Sequence, residues 1–176
     1  MKPVSILAMC GSVREGSTNL ALLHAAKLCA PTEVEIIVWN EQSHLPHFSP
    51  DLEHSPPAIV QDFRRLIGHV DGLIVACPEY VRGTPGSFKN ALDWLVGGDT
   101  FVNKKFTLWN ASPRAFEAQR SLRLVLETMS GIFIESATLN LPLIKQELNA
   151  EGITSHPEWA AHIKMALEHF VSVLRQ

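Results

Sequence analysis

Small hydroxyl side chains, two glycines and an arginine follow the first apolar segment of the chain. Residues 4–9 form a short, largely apolar run that leads to Gly11, which is typical of a strand buried on both faces. A helix is predicted to begin near Thr18, with Ser17 or Thr18 as its N-cap. The first loop, residues 10–19, therefore precedes a helix N-terminus, where N–H groups and the helix dipole favour an anion. We expect phosphate to bind there through Gly11, Ser12, Arg14, Ser17, Thr18 and Asn19.

The composition of the first loop also restricts the kind of phosphate ligand. The dinucleotide pattern G-x-G-x-x-G is absent. Residues 11–18 resemble a P-loop, but Ser17 stands where the lysine that neutralises the β- and γ-phosphates should be. Nucleoside triphosphate hydrolysis is therefore disfavoured, and a single terminal phosphate suits the hydroxyl-rich loop better.

A second loop, residues 78–85, follows another buried apolar segment. Pro78 and Pro85 restrict its backbone, while Gly83 and the following Gly86 permit unusual backbone angles. A stiff loop of this kind is able to present backbone N–H groups to the polar edge of a flat heterocycle. Tyr80, the only tyrosine in the chain, lies in this loop and is either a ligand contact or a packing residue.

The elements that position these loops alternate along the chain. Strands are predicted at residues 4–9, 34–39, 72–76, 106–110 and 132–139, and helices at 18–30, 59–67, 86–96, 116–129 and 157–174, with a proline-rich loop at 40–57. This alternation predicts an α/β three-layer sandwich, a five-stranded parallel sheet in the order 2-1-3-4-5 with helices on both faces. The first and third strands are then neighbours, and the first and second loops meet at the switch point where ligands bind.

The overall composition favours one globular domain over residues 1–176. The chain has 176 residues, 46% of them hydrophobic, and a net charge of −3, which gives no basic field for nucleic acid. No apolar run reaches the roughly 18–20 residues that span a bilayer, and the N-terminal residues lack a signal-peptide pattern. Cys10, Cys29 and Cys77 form no CxxC pair. We therefore expect a cytoplasmic protein with reduced thiols and no membrane or nucleic-acid partner.

Together the two loops resemble the NADPH-dependent FMN reductase family, which includes quinone, chromate and azo-dye reductases of flavodoxin-like fold. That family shows GSxRxxSxN after the first strand and PEYxxxxPGxxKNAxDW after the third. The resemblance extends from about residue 4 to residue 143. The matching positions are Gly11, Ser12, Arg14, Ser17, Asn19, Pro78, Glu79, Tyr80, Pro85, Gly86, Lys89, Asn90, Ala91, Asp93 and Trp94.

The resemblance implies an FMN-dependent NAD(P)H oxidoreductase with no catalytic side chain. A hydride would pass from NADPH or NADH to the flavin, and electrons would then pass to a small-molecule acceptor: a quinone, free flavin, azo compound or metal oxyanion. The residues of the first loop would bind the FMN phosphate. Pro78, Glu79, Tyr80, Val81 and Gly83 would line the isoalloxazine ring, largely through backbone groups. Members of this family are usually homodimers or homotetramers with the flavin near a subunit interface.

The chain departs from the family pattern at two places. Val81 follows Pro-Glu-Tyr where the family often has asparagine. The third loop, residues 110–116, is shorter and lacks the usual Gly-Gly pair, although Ser112 is expected to reach the flavin ring. Arg114 and Phe116 would then give the protein its own substrate preference or block the site. Arg82 or Arg114 would attract the phosphates of NADPH.

Three other interpretations remain open from the sequence. A non-catalytic flavin electron carrier would be expected to be strongly acidic, whereas the net charge is only −3. A relative that has lost flavin and serves as an interaction protein would explain the altered third loop. His44, His47 and His54 could form a metal site, but no other ligands accompany them at structural-zinc spacing, and solvated loop histidines fit better.

Overall fold

A computed structural model describes residues 3–143 and 148–176. The strands of this part are β1 (Val4–Cys10), β2 (Val34–Trp39), β3 (Gly72–Ala76), β4 (Lys105–Asn110), β5 (Ile132–Phe133) and β6 (Leu139–Asn140). The α-helices are α1 (Thr18–Cys29), α2 (Ala58–His69), α3 (Gly86–Val96), α4 (Phe116–Thr128), α5 (Ala150–Thr154) and α6 (Pro157–Leu174). Short 3₁₀ turns occupy Glu41–His44, Pro50–Leu52 and Glu135–Ala137. No helix of the described part is long and apolar enough to cross a bilayer.

The sheet is parallel and has the strand order β2-β1-β3-β4-β5, with β6 also pairing with β4. This confirms the predicted flavodoxin-like order. Cys10 at the end of β1 pairs with Ala76 at the end of β3, and the Gly11 amide donates to the Ala76 carbonyl at 2.8 Å. The first and second loops therefore leave the sheet side by side.

The buried strands point alternate side chains into two separate cores. On β1, Ile6 and Ala8 contact the core formed with α1, α5 and α6, whereas Leu7 and Met9 contact the core formed with α2, α3 and α4. Every residue of β3 is buried. The continuous apolar runs in these central strands therefore follow from helix layers on both faces of the sheet.

The prediction of one strand over residues 132–139 is wrong, because the chain leaves the sheet in the middle of that segment. Between the pairs Phe106–Phe133 and Trp109–Leu139, β4 advances three residues and its partner advances six. The turn Glu135–Ala137 lies in this gap, and its Ala137 carbonyl accepts the indole N–H of Trp109 at 3.0 Å. Trp109 is fully buried, so its N–H needs an acceptor, and the interrupted strand provides one.

The long loop after β2 is hydrogen-bonded to α3 by Asn90 and Trp94, two residues of the family motif that follows the third strand. The Asn90 side chain accepts from the Phe48 amide at 2.8 Å and donates to the Pro46 carbonyl at 2.9 Å. The indole N–H of Trp94 donates to the same Pro46 carbonyl at 2.7 Å. Asn90 and Trp94 therefore position residues 46–48 and do not line the candidate site.

Candidate functional site

A cavity of about 520 Å³ opens at the carboxyl ends of β1, β3 and β4. This volume lies in the range of small-molecule and cofactor sites. All three loops singled out from the sequence contribute to its lining: Ser12, Arg14, Ser17, Thr18, Asn19, Pro78, Tyr80, Ala111, Ser112, Pro113, Arg114 and Leu143. Four predicted contact residues, Gly11, Glu79, Val81 and Gly83, are not among the lining residues.

Three buried polar side chains of the first loop and the start of α1 face this cavity. Ser12, Ser17 and Asn19 are each less than a tenth exposed. Ser17 is the N-cap of α1, and its hydroxyl accepts from the Leu20 amide at 3.3 Å. The Ser12 hydroxyl accepts from the Arg14 amide, and the Asn19 carbonyl oxygen accepts from the Ala111 amide, both at 3.3 Å. Each side chain therefore uses an oxygen as an acceptor inside the protein.

The same three side chains also carry donor hydrogens that a ligand could use. A hydroxyl has one donor hydrogen and an amide has two. The Ser17 hydroxyl also lies 3.9 Å from the Cys10 sulfur, and either atom of that pair is able to donate. Arg14 and Thr18 line the same end of the cavity, which is also the N-terminal end of α1. Donors, a guanidinium and the helix dipole thus converge on one place, so the arrangement fits a phosphate group.

The structure requires glycine at the two glycine positions of the first loop for different reasons. A Cβ atom at Gly11 would lie 2.4 Å from the Cys77 sulfur and 3.1 Å from the Cys77 Cα atom. Gly11 therefore permits the first and second loops to approach each other. Gly16 has a φ of +67°, which L side chains rarely adopt, while the space around it is open.

The second loop contains a tight turn whose two central residues are not glycine but have left-handed backbone conformations. The Tyr80 amide donates to the Gly83 carbonyl at 3.0 Å, and the Gly83 amide donates to the Tyr80 carbonyl at 2.9 Å. The two central residues, Val81 and Arg82, have φ values of 51° and 59°, as in a type I′ turn. Neither Gly83 nor Gly86 has a positive φ, so the left-handed conformations of this loop lie at non-glycine residues. The turn places the Val81 side chain fully in solvent.

The strained turn predicts that Val81→Asn stabilises the protein. A left-handed conformation costs an L residue about 1–2 kcal/mol, and asparagine tolerates it better than a β-branched residue. We expect the free energy of unfolding to rise by about 1 kcal/mol in urea denaturation. Val102→Asn is the matched control, since Val102 is also exposed and its φ is not positive. An equal effect of both substitutions would contradict the assignment of strain to Val81.

The Glu79 side chain contacts the start of α4. Its carboxylate accepts hydrogen bonds from the first turn of that helix, at the amides of Glu117 and Ala118. Pro78 and Tyr80 on either side of it line the cavity. That Glu79 contacts a bound ring through its backbone stays a prediction.

The third loop forms the opposite side of the cavity. The Asn110 side chain accepts from the Ser112 amide at 2.9 Å, and the Ser112 hydroxyl accepts from the Arg114 amide at 3.3 Å. Ala111, Pro113 and Leu143 line the cavity although the sequence did not identify them as site residues. Ala111 and Pro113 adjoin the predicted Ser112, whereas nothing in the sequence around Leu143 indicates its proximity.

The cysteines near the site are buried thiols. Burial raises the pKa of Cys10, and burial together with the neighbouring Cys10 raises the pKa of Cys77 far above its usual value. Cys29, at the end of α1, is only partly buried, and burial also raises its pKa. A raised pKa leaves less thiolate at neutral pH, and the thiolate is the reactive form.

We therefore expect thiol labelling in the native protein to occur first at Cys29. At pH 8, iodoacetamide should modify Cys29 slowly and leave Cys10 and Cys77 unmodified, as measured by peptide mass spectrometry. Labelling at Cys29 should accelerate as the pH rises, because the thiolate fraction grows. In guanidinium chloride all three thiols should react alike. Native labelling of Cys77 at the rate of Cys29 would contradict this order.

The histidines of the long loop give no support to a metal site. His44 contacts the Glu41 carboxylate at 2.6 Å, three residues away on the same 3₁₀ turn. No group of three His, Cys, Asp or Glu side chains within residues 3–143 and 148–176 is placed to hold a metal ion.

The comparisons with known proteins decide the family. The family model for NADPH-dependent FMN reductases matches residues 4–146, which include all three loops. The chain belongs to this family. A 2-hydroxy-1,4-benzoquinone reductase from Burkholderia is 36% identical over 98% of this chain and 97% of that protein. The quinone reductase of Escherichia coli K12 is 30% identical over 79% of this chain and 75% of that protein.

The structural comparison agrees with the family assignment at the level of the fold. The NAD(P)H:acceptor oxidoreductase FerB from Paracoccus denitrificans has a TM-score of 0.82 and 24% identity, over 98% of this chain and 97% of that one. Membership of the NADPH-dependent FMN reductase family confirms the predicted oxidoreductase class, with FMN as cofactor and NAD(P)H as electron donor. Which residues of this family member bind the cofactor stays a prediction.

Proposed function

We propose that this FMN reductase holds FMN in the cavity at the end of β1 and transfers electrons from NAD(P)H to a quinone. The observation that carries the proposal is that three buried polar side chains, Ser12, Ser17 and Asn19, line one cavity together with Arg14 and the N-terminus of α1. A phosphate beside Arg14 would accept hydrogen bonds from this set of donors.

The residues of the chain position the cofactor and do not take part in bond making. Ser12, Arg14, Ser17, Thr18 and Asn19 hold the phosphate. Pro78 and Tyr80 on one side and Ser112 on the other hold the ring, and the backbone of residues 79–83 supplies hydrogen bonds. When bound, FMN supplies hydride acceptance from the nicotinamide and electron release to the acceptor.

Two arginines of the second and third loops could attract an anionic substrate. Arg114 lines the cavity and Arg82 lies in the turn between Tyr80 and Gly83. Neither forms an ion pair within the part that the structure describes. They would attract a phosphate of NADPH or the ionised oxygen of a hydroxyquinone. The names of the Burkholderia and Escherichia coli relatives support a quinone as the acceptor.

The rim of the cavity favours a homodimer or homotetramer. Val13, Tyr80, Val81 and Phe116 are large apolar side chains that are each about half exposed or more. A second copy of the chain would cover them and complete the ring side of the site. Light scattering of the purified protein measures the oligomer directly, and Phe116→Glu should shift it toward the monomer. We place this single domain, residues 1–176, in the cytoplasm, since its three cysteines are all free.

The experiment is a visible spectrum of the purified protein with FMN, before and after anaerobic NADPH. We expect a bound-flavin absorption band that NADPH bleaches and that 1,4-benzoquinone restores. Flavin that stays oxidised with both NADPH and NADH would instead identify an electron carrier. A protein that binds no FMN at micromolar concentration would contradict the proposal altogether.

A further inference from the structure

Helix α4 begins without a capping side chain of its own. Its N-cap position is Ala115, which has no side-chain acceptor for the first N–H groups of the helix. The carboxylate of Glu79, a residue of the second loop, acts as the cap instead. One of its oxygens accepts from the Glu117 amide at 2.9 Å and from the Ala118 amide at 3.0 Å. These are the second and third residues of α4, whose N–H groups a local N-cap residue would satisfy.

This cap connects two sides of the cavity. Glu79 lies between the lining residues Pro78 and Tyr80, and α4 directly follows the lining residues Ser112 and Arg114. Among the described residues, no hydrogen bonds other than these two join the second loop to the third loop or to α4. The pairing of β3 with β4 fixes where the two loops start. Beyond the strand ends, the Glu79 carboxylate is the hydrogen-bonded connection between the two sides of the cavity within the described residues.

We infer that Glu79 is a positioning residue that sets the spacing of the two loops between which the flavin ring binds. The inference rests on the proposed FMN site. A carboxylate suits the position because charge-assisted hydrogen bonds to a helix N-terminus are stronger than neutral ones. The alternative is that Glu79 stabilises the fold as any helix cap does, with no particular effect on the cofactor.

The two roles predict different balances of stability and affinity. Glu117 is exposed and Ala118 is buried, so water is able to replace the cap at only one of the two amides. Loss of Glu79 would therefore lower the stability of the apo-protein in either role, and loss of a spacer would in addition weaken FMN binding by the folded protein. Loss of an ordinary cap would lower stability and leave the affinity of the folded protein unchanged.

The experiment compares Glu79→Ala and Glu79→Gln with the control Glu117→Ala. The control removes a carboxylate from the same helix end without touching the second loop. Three quantities are measured: amide hydrogen exchange at residues 117 and 118 in the apo-protein, the thermal midpoint, and the FMN Kd by fluorescence quenching. The first two need no flavin.

We expect Glu79→Ala to accelerate exchange at both amides and to raise the FMN Kd about tenfold. Glu79→Gln should stay within about twofold of wild type, because its amide oxygen accepts the same bonds. Glu117→Ala should resemble wild type. If Glu79→Ala does not fold, Glu79→Asp replaces it, since the shorter side chain draws back from α4 by one methylene.

Three results would overturn the inference. The first is an unchanged FMN Kd in Glu79→Ala with accelerated exchange, and the second is a Glu79→Gln variant that binds FMN as weakly as Glu79→Ala. The third is an equal loss of affinity in Glu117→Ala, because general charge at the helix end would then explain the effect. Failure of the proposed function is a separate outcome, in which wild type itself binds no FMN while the exchange rates still respond to Glu79.

Discussion

Gly11→Ala is expected to lower the free energy of unfolding by about 3 kcal/mol, the upper part of the usual range for an overpacked site. The added Cβ atom would lie 2.4 Å from the Cys77 sulfur, and backbone atoms of Cys77 restrict any retreat. The hydrogen bond from the Gly11 amide to Ala76 would be strained at the same time. Urea denaturation of the variant and wild type measures the difference.

A double-mutant cycle with Cys77→Ala tests the cause of this loss. Removing the sulfur relieves the shortest contact but leaves the Cys77 Cβ atom 3.0 Å away, so we expect partial recovery of stability in the double variant. Gly86→Ala is the control, because nothing lies within 4 Å of a Cβ atom there. Additive effects of Gly11→Ala and Cys77→Ala would show that their contact is not responsible.

Arg14→Gln is expected to raise the FMN Kd about 10- to 100-fold while the riboflavin Kd stays the same. Hydrogen bonds to charged groups contribute about 1.5–3 kcal/mol, and Arg14 is the cation among the first-loop residues that line the cavity. Riboflavin has the same ring and no phosphate, so it reports on the ring side alone. Titration of the apo-protein with each flavin, followed by fluorescence, gives both constants.

The control for Arg14 is Arg120→Gln, which removes an exposed arginine on α4 that does not line the cavity. It should leave both flavin affinities unchanged, which separates a local contact from the loss of general positive charge. If Arg14→Gln weakened riboflavin as much as FMN, Arg14 would act on the ring or on the fold, and the phosphate assignment would be wrong.

The features that the sequence predicted well are those with local causes. Residues 4–9, apart from Ser5, and residues 72–76 are apolar, which is typical of buried central strands. Ser17 caps the helix that it precedes by one residue, and five of the six first-loop residues predicted to bind phosphate line the cavity, because the loop and the helix start are continuous in sequence. The parallel sheet follows from the alternation of strands and helices.

The features that the sequence could not predict depend on distant partners. The interruption of residues 132–139 serves the indole N–H of Trp109, which lies on another strand. The cap on α4 comes from Glu79, 38 residues before Glu117. The positive φ of Val81 comes from the pairing of Tyr80 with Gly83, which imposes the turn whatever residue lies between them.

The division of the cavity between two structural units has a consequence for how enzymes of this kind diversify. The phosphate-binding side chains are built from the end of β1 and the start of α1, and they are fixed by bonds within that unit and to Ala111. The later part of the third loop leads into α4, which packs on the other core and is capped by Glu79. Substitutions at residues 113–116 are therefore expected to change the preferred electron acceptor while the phosphate-binding residues are retained.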